Sequence, residues 1–182
     1  FEINSAGLLT LVIGENGLDL ALKLGFTEKY ILKVGNWLGP LLVAAAESDV
    51  KKLLIFGYHG KLVKLAGGIF HTHNHLADGR LEVLTALAVQ EEIPFYLIQK
   101  IRKSQSVQAA LLIVEKRDRE LAYYLWTRLA CVIEKRSNTY VGNYGSWSIE
   151  IGAALFDRDR RLRWAGQFGC QQLQALGVNL DN

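Results

Sequence analysis

The chain has 182 residues, half of them apolar, about a fifth charged, and only two prolines; this describes a packed globular domain with little linker. Its formal net charge is +3, and without a Lys/Arg tract that excludes a phosphate-tracking, nucleic-acid-binding surface while suiting an anionic small molecule. No apolar run reaches the roughly 18 residues of a membrane span, and Cys131 and Cys170 are too few and too far apart in sequence for a disulfide framework, which favours a reducing, cytoplasmic setting.

The chain opens on Phe1 with no recognisable leader and runs almost at once into an apolar segment, so an N-terminal part is expected to be missing. Leu8 to Ile13 reads as a buried strand ending at Gly14, and Leu18 to Leu24 as a helix stopping at Gly25. Tyr30 to Val34 reads as a second strand ending at Gly35, Leu38 to Glu47 as a helix, and Lys52 to Phe56 as a third strand ending at Gly57. The three strand-terminal glycines are 21 and 22 residues apart. That interval predicts βαβ units and a parallel sheet, and the continuous apolar strands agree, because parallel strands are covered on both faces.

Further along, Ala77, Leu81, Leu84 and Ala88 predict a helix with one apolar stripe. Ser104 to Glu115 and Arg119 to Lys135 predict two more, the latter carrying Tyr123, Tyr124 and Trp126, which suit core packing or an interface between copies in a homo-oligomer. Ser137 to Gly145 reads as a loop. Ser148 to Phe156 and Arg161 to Trp164 read as a strand pair joined by the charged turn Asp157–Arg160, with Arg158, Arg160, Arg161 and Arg163 around it read as solvated. The fold class expected is α/β: one domain over residues 1–182, a small parallel sheet of Rossmann-like βαβ units flanked by helices, with a late strand returning to the sheet.

Ligands of such sheets bind outside the carboxyl ends of the strands. Those ends here read Gly14-Glu15-Asn16-Gly17, Gly35-Asn36-Trp37 and Gly57-Tyr58-His59-Gly60-Lys61, and they are expected to share one crevice. All four histidines fall between positions 59 and 75, three of them in His71-Thr72-His73-Asn74-His75. Imidazoles transfer protons near neutral pH, bind metals and donate to anions. The Gly14–Gly17 turn is either a ligand contact or a plain tight turn, since the G-x-G-x-x-G fingerprint and the ribose-binding acid of a dinucleotide enzyme are absent. In an extended segment His71, His73 and His75 would converge on one face, as a metal-binding or metal-delivery module would require. No cysteine lies nearby, however, and Asp78 is the nearest carboxylate, so no metal ligands are assigned. On a helix Lys61 and Lys64 would project from one side, either as a solvated face or, at the start of the third crevice loop, as a binding site for carboxylates. Asp78 either caps the following helix or orients a histidine, while Arg80 and Glu82 suit its surface.

The run Gly57-Tyr58-His59-Gly60-Lys61-Leu62-Val63-Lys64-Leu65-Ala66-Gly67-Gly68-Ile69-Phe70-His71-Thr72-His73, continuing through Ala77-Asp78-Gly79-Arg80-Leu81-Glu82, closely resembles the signature segment of the CbiD family, the cobalt-precorrin-5B C(1)-methyltransferases of anaerobic cobalamin biosynthesis. Val34-Gly35-Asn36-Trp37-Leu38-Gly39 and Ala154-Leu155-Phe156-Asp157-Arg158 add weaker likeness. The resemblance covers nearly the whole chain but only the C-terminal half or so of a family member. It implies an α/β domain of an enzyme that moves a methyl group from S-adenosylmethionine to C-1 of a cobalt-corrinoid. Two departures stand out: the family's glycine- and threonine-rich N-terminal region is not in this chain, and Lys100 to Ser106 lacks the family's Asn-Thr-Thr-like helix entry.

On that reading Lys61, Lys64, His73 and His75 meet the acetate and propionate groups of the substrate. Positioning for in-line transfer dominates, with His59 or His71 as a base. The methyl donor lies near Gly14, Glu15, Asn16, Gly17 and Gly35, with Glu15 or Asn36 reaching its ribose or amino-acid moiety. The competing expectations are the metal module built on the histidines and a purely structural half whose chemistry lies in the missing N-terminal domain.

Overall fold

A computed structural model describes residues 2–4 and 7–181. Five strands, β1 (Leu8–Ile13), β2 (Ile31–Val34), β3 (Lys52–Tyr58), β4 (Glu150–Phe156) and β5 (Leu162–Ala165), form one sheet in the order β2-β1-β3-β4-β5. The first four are parallel, and β5 pairs antiparallel with β4. The α/β expectation and the returning late strand are therefore observed.

Alternation within the strands explains the layers. Leu9, Leu11, Ile13, Leu53 and Ile55 pack on one face, and Leu8, Val12, Leu54 and Phe56 on the other, as successive side chains of a strand must. The second face is covered by α1 (Gly14–Lys23) and α8 (Gln167–Ala175). The first carries α2 (Leu38–Glu47), α3 (His59–Ala66), α4 (Arg80–Gln90), α5 (Phe95–Arg102), α6 (Val107–Arg117) and α7 (Arg119–Gly142).

Strand β1 leads to β2 on one side, whereas β3 and β4 lie on the other. The winding therefore reverses between β1 and β3, the position where a crevice opens in doubly wound sheets.

Three elements depart from the sequence reading. Helix α5 has no counterpart in it. Helix α7 runs through the polar stretch read as a loop, because Ser137 and Val141 turn inward and Asn138 donates to the Glu134 and Ile151 carbonyls, at 2.8 and 3.3 Å. Helix α8 has no side-chain cap on its own strand of chain. The cap comes instead from buried Glu134 of α7, whose carboxylate accepts the N–H groups of Gly169 (2.7 Å) and Phe168 (3.3 Å) at the start of α8 and of Ala153 in β4 (3.0 Å). Burial pushes the Glu134 carboxyl up, and these backbone donors pull it back down. A carboxylate at a helix N-terminus also meets the positive end of the helix dipole.

Replacing Glu134 with Ala removes three bonds to a charged acceptor and leaves buried N–H groups unpaired. It is expected to lower the unfolding free energy by about 2–4 kcal/mol, read from the denaturation midpoint, whereas Glu120→Ala on the exposed first turn of α7 stays within about 0.5 kcal/mol.

Candidate functional site

Gly14 turns the chain out of β1 with φ +74°, a backbone conformation natural to glycine, and α1 begins there with no side-chain cap. Its first N–H groups are left for a ligand or water. The opening beside it, about 440 Å³, is bounded by Gly14, Glu15 and Asn16 after β1, Tyr58 at the end of β3 and Lys61 beyond it, and Phe156 at the end of β4 with Asp157 and Arg158 following. Ser106 and Gln108, at the start of α6, form the remaining wall.

A second depression, about 360 Å³, holds Asn36 after β2, His73 and His75, and Arg80. Tyr58 and Lys61 line both openings. Gly60 permits this arrangement, because a Cβ there would lie 2.5 Å from the Tyr58 ring. A larger groove of about 650 Å³ between α6, α7 and β5 has its Arg163 held by Glu115 at 2.6 Å and carries none of the loops that follow β1, β2 and β3.

The histidine loop is stitched to the loop after β2. Trp37 and His71 form an antiparallel bridge, the Thr72 N–H donates to the Asn36 carbonyl at 2.9 Å, and the Thr72 hydroxyl donates to Asn36 Oδ1 at 3.0 Å. The N–H groups of Leu38 and Gly39 donate to the Phe70 carbonyl, at 3.1 and 3.2 Å. Pro40 follows in the first turn of α2, where the missing N–H has no helical partner to lose. The single crevice expected is instead two openings: the loop after β1 lines one, the loop after β2 and the histidine loop line the other, and the two share Tyr58 and Lys61.

Several predicted site residues have other work. Lys64 is fully buried, its ammonium donating to the carbonyls of Thr72 (2.9 Å) and Ala77 (2.6 Å) and to Asn74 Oδ1 (2.7 Å). Burial pulls its pKa down, with Asp78 opposing. It therefore clamps the histidine loop instead of facing a substrate. His59 is also fully buried: Nδ1 accepts from Trp126 Nε1 at 2.8 Å and Nε2 lies 2.9 Å from Gln108 Oε1. Desolvation drives its pKa down to about 4, so it is neutral at physiological pH and lines neither opening. Its ring turns inward against Trp126 and Trp164, at 5.9 and 5.5 Å between centroids. Gly17 serves packing: a Cβ would sit 2.9 Å from Val12 Cγ1. Gly35 is exposed after β2 and lines neither opening.

The other predicted residues lie at the rim. Lys61 is half-buried, with its pKa lowered by burial and no hydrogen-bond or ion-pair partner among the described residues. The Glu15 carboxylate is held by Lys33 at 2.5 Å, and Asn16 Oδ1 by Arg160 at 2.5 Å. His71 stands edge-on to exposed Trp37, 4.5 Å between centroids, outside both openings. The His71–His73 and His73–His75 rings are 6.4 and 5.1 Å apart. Among the described residues no group of three or more His, Cys, Asp or Glu is placed to hold a metal ion, so the metal module gains no support from the geometry.

Asp78 is not the N-cap of α4, which is Gly79, and has no hydrogen bond to a histidine among the described residues. It grips Arg80 through both oxygens, at 2.5 and 2.8 Å, and that bond lowers its pKa. Sequence reading put Tyr58 at the rim without a role of its own, missed Ser106 and Gln108, and took Arg158, Arg160, Arg161 and Arg163 for solvated residues, whereas Arg163 is largely buried and held by Glu115. For those that line the openings, position at the ends of the strands β3 and β4, or opposite them, was the available signal. The stripe Tyr123, Tyr124 and Trp126 also splits, Trp126 being buried and the two tyrosines exposed.

The model of the CbiD C-terminal domain matches residues 71–167. The chain is 64% identical over 176 residues to a cobalt-precorrin-5B C(1)-methyltransferase of Prochlorococcus marinus strain MIT 9313, which covers 97% of this chain and 46% of that protein. Proteins of the same name from strains NATL2A and SARG are 59% identical over 179 residues and 57% over 181, covering 47% and 48% of their lengths. The chain thus spans about half the length of these curated relatives. No solved structure matches.

The depressed His59 pKa makes stability depend on pH with a definite sign. Above pH 6.5 the imidazole is neutral in both folded and unfolded chains. Between about 6.5 and about 4 the unfolded chain takes up the proton first, so stability falls as pH falls, by up to about 3 kcal/mol. Urea titrations of the wild type and His59→Phe test this: the variant is less stable at pH 7 but has a shallower loss across that window, and parallel pH curves would contradict it.

Proposed function

The chain belongs to the CbiD family, and from that premise we propose that it is the C-terminal α/β domain, residues 1–182, of a methyltransferase acting at C-1 of cobalt-precorrin-5B. S-adenosylmethionine is the methyl donor in this reading, and the remainder of the longer enzyme completes the site. The observation that carries it is the shared wall: two openings at the carboxyl edge of one sheet meet at Tyr58 and Lys61.

The residues of the first opening suit the donor. The uncapped start of α1 offers N–H groups to a carboxylate. Tyr58 and Phe156, 6.2 Å between ring centroids, supply an apolar wall. When bound, the donor supplies an electrophilic methyl on a sulfonium, whose C–S bond breaks as the new C–C bond forms.

The second opening presents Lys61, Arg80, His73 and His75 to an anionic ring. Its loop is held rigid by Lys64, so the ring's carboxylates meet fixed donors and the reacting carbon is brought to the Tyr58–Lys61 boundary. Acid–base help from His59 is set aside, because that ring is buried and committed at both nitrogens. The half-buried free cysteines, Cys131 and Cys170, suit the reducing cytoplasm, and no helix among the described residues is long and apolar enough to cross a membrane.

In the full-length enzyme, Lys61→Ala is expected to lower kcat/KM for methyl transfer to cobalt-precorrin-5B by about 10- to 100-fold, the worth of one charge-assisted bond. Lys51→Ala, at the opposite end of β3 and paired with Asp49, leaves it within about twofold. Unchanged kinetics in Lys61→Ala contradicts the assignment.

A further inference from the structure

We infer that Gln108 binds the ligand of the first opening through its amide N–H₂, and that His59 and Trp126, neither of which lines the opening, act with the Arg158 backbone N–H to turn this end of the amide to the ligand. The identity of the ligand as the methyl donor rests on the reading proposed above; the hydrogen-bond chain does not.

The chain begins at an unambiguous group. An indole Nε1–H can only donate, and that of Trp126 lies 2.8 Å from His59 Nδ1. Nδ1 is therefore an acceptor and carries no proton. A neutral imidazole then holds its proton on Nε2, and burial keeps the ring neutral. Nε2–H points at the Gln108 side chain, 2.9 Å away, and a donor there requires the amide oxygen. The backbone N–H of Arg158 is aimed at the same atom, at 3.3 Å. Two donors converge on Oε1, so the ambiguity of amide orientation is settled by chemistry.

Nε2 of Gln108 has no hydrogen-bond partner among the described residues and is not a buried orphan, while the side chain lines the opening beside Ser106 and Phe156. It presents two donor hydrogens, so the complementary ligand atom is an acceptor. His59 acts through Gln108 as a positioning residue, and Trp126 acts through His59. The buried Trp126 indole, deep in α7, thereby helps to set the polarity of a surface it does not touch.

Two measurements on the full-length protein test this. Nitrogen-15 NMR of histidine-labelled, unmutated protein at pH 7 shows His59 as the Nε2–H tautomer; the Nδ1–H tautomer overturns the inference, and no variant has to fold for that result. Calorimetric titration with S-adenosylhomocysteine then compares wild type, Gln108→Ala, Trp126→Phe and the double variant. Each single change weakens binding about tenfold, and the double variant binds no more weakly than Gln108→Ala, because Trp126 acts only through that amide. Losses that multiply to about a hundredfold, or wild-type affinity in Gln108→Ala, overturn it while leaving the donor site in place. Absence of binding by the wild type overturns the methyl-donor reading and the ligand contact together.

Discussion

Helix α1 leaves β1 toward one face of the sheet while α3 leaves the neighbouring β3 toward the other, and the divergence of these two helices governs everything built at that edge. The backbone ends of β1 and β3 are left side by side with room between them. Gly14 supplies the reversal out of β1 and Gly60 lets the Tyr58 ring lie across the start of α3. Each opening then inherits its character from whichever loops border it: the first from β1, β4 and the start of α6, the second from β2 and the histidine loop.

Rigidity at this edge comes from buried polar groups whose partners are nearly all supplied. Lys64 spends all three ammonium hydrogens on the histidine loop. A cation so enclosed is tolerated only when its donors are satisfied, so the loop and α3 are fixed to each other. Asn36 and Phe70 tie the same loop to the start of α2. On the far side, Glu134 joins α7, β4 and α8. The first two tethers fix the histidine loop to α3 and α2, and the third fixes α8 to α7 and β4, so the walls of the openings are held by buried hydrogen bonds as well as by the sheet.

The parallel core was readable because its signals are local. Three apolar runs closed by glycines placed β1 as observed and β2 and β3 within two residues at their ends, and the carboxyl-end rule put the imidazole loop beside Asn36. The late hairpin announced itself by its charged turn. What the chain does not display locally was left unread or misread. Helix α8 is polar, and its cap comes from Glu134, 35 residues before Gly169. His59 looks like a catalytic base until its partners appear, Gln108 being 49 residues away and Trp126 67. Lys61 and Lys64 share a helix and a residue type, yet one is a rim cation and the other an internal tether, a distinction made by the backbone carbonyls of Thr72 and Ala77. A resemblance identifies the family without separating such roles.

The crystal structure of the full-length protein with S-adenosylhomocysteine is the most direct trial of the claim that the β1–β3 divergence makes the donor site. The account predicts the adenosyl ligand between Gly14–Asn16 and the Tyr58–Phe156 wall, with Lys61 on its open side. Ligand density held wholly by the portion of the enzyme outside this chain, with the crevice empty of it, would contradict the account.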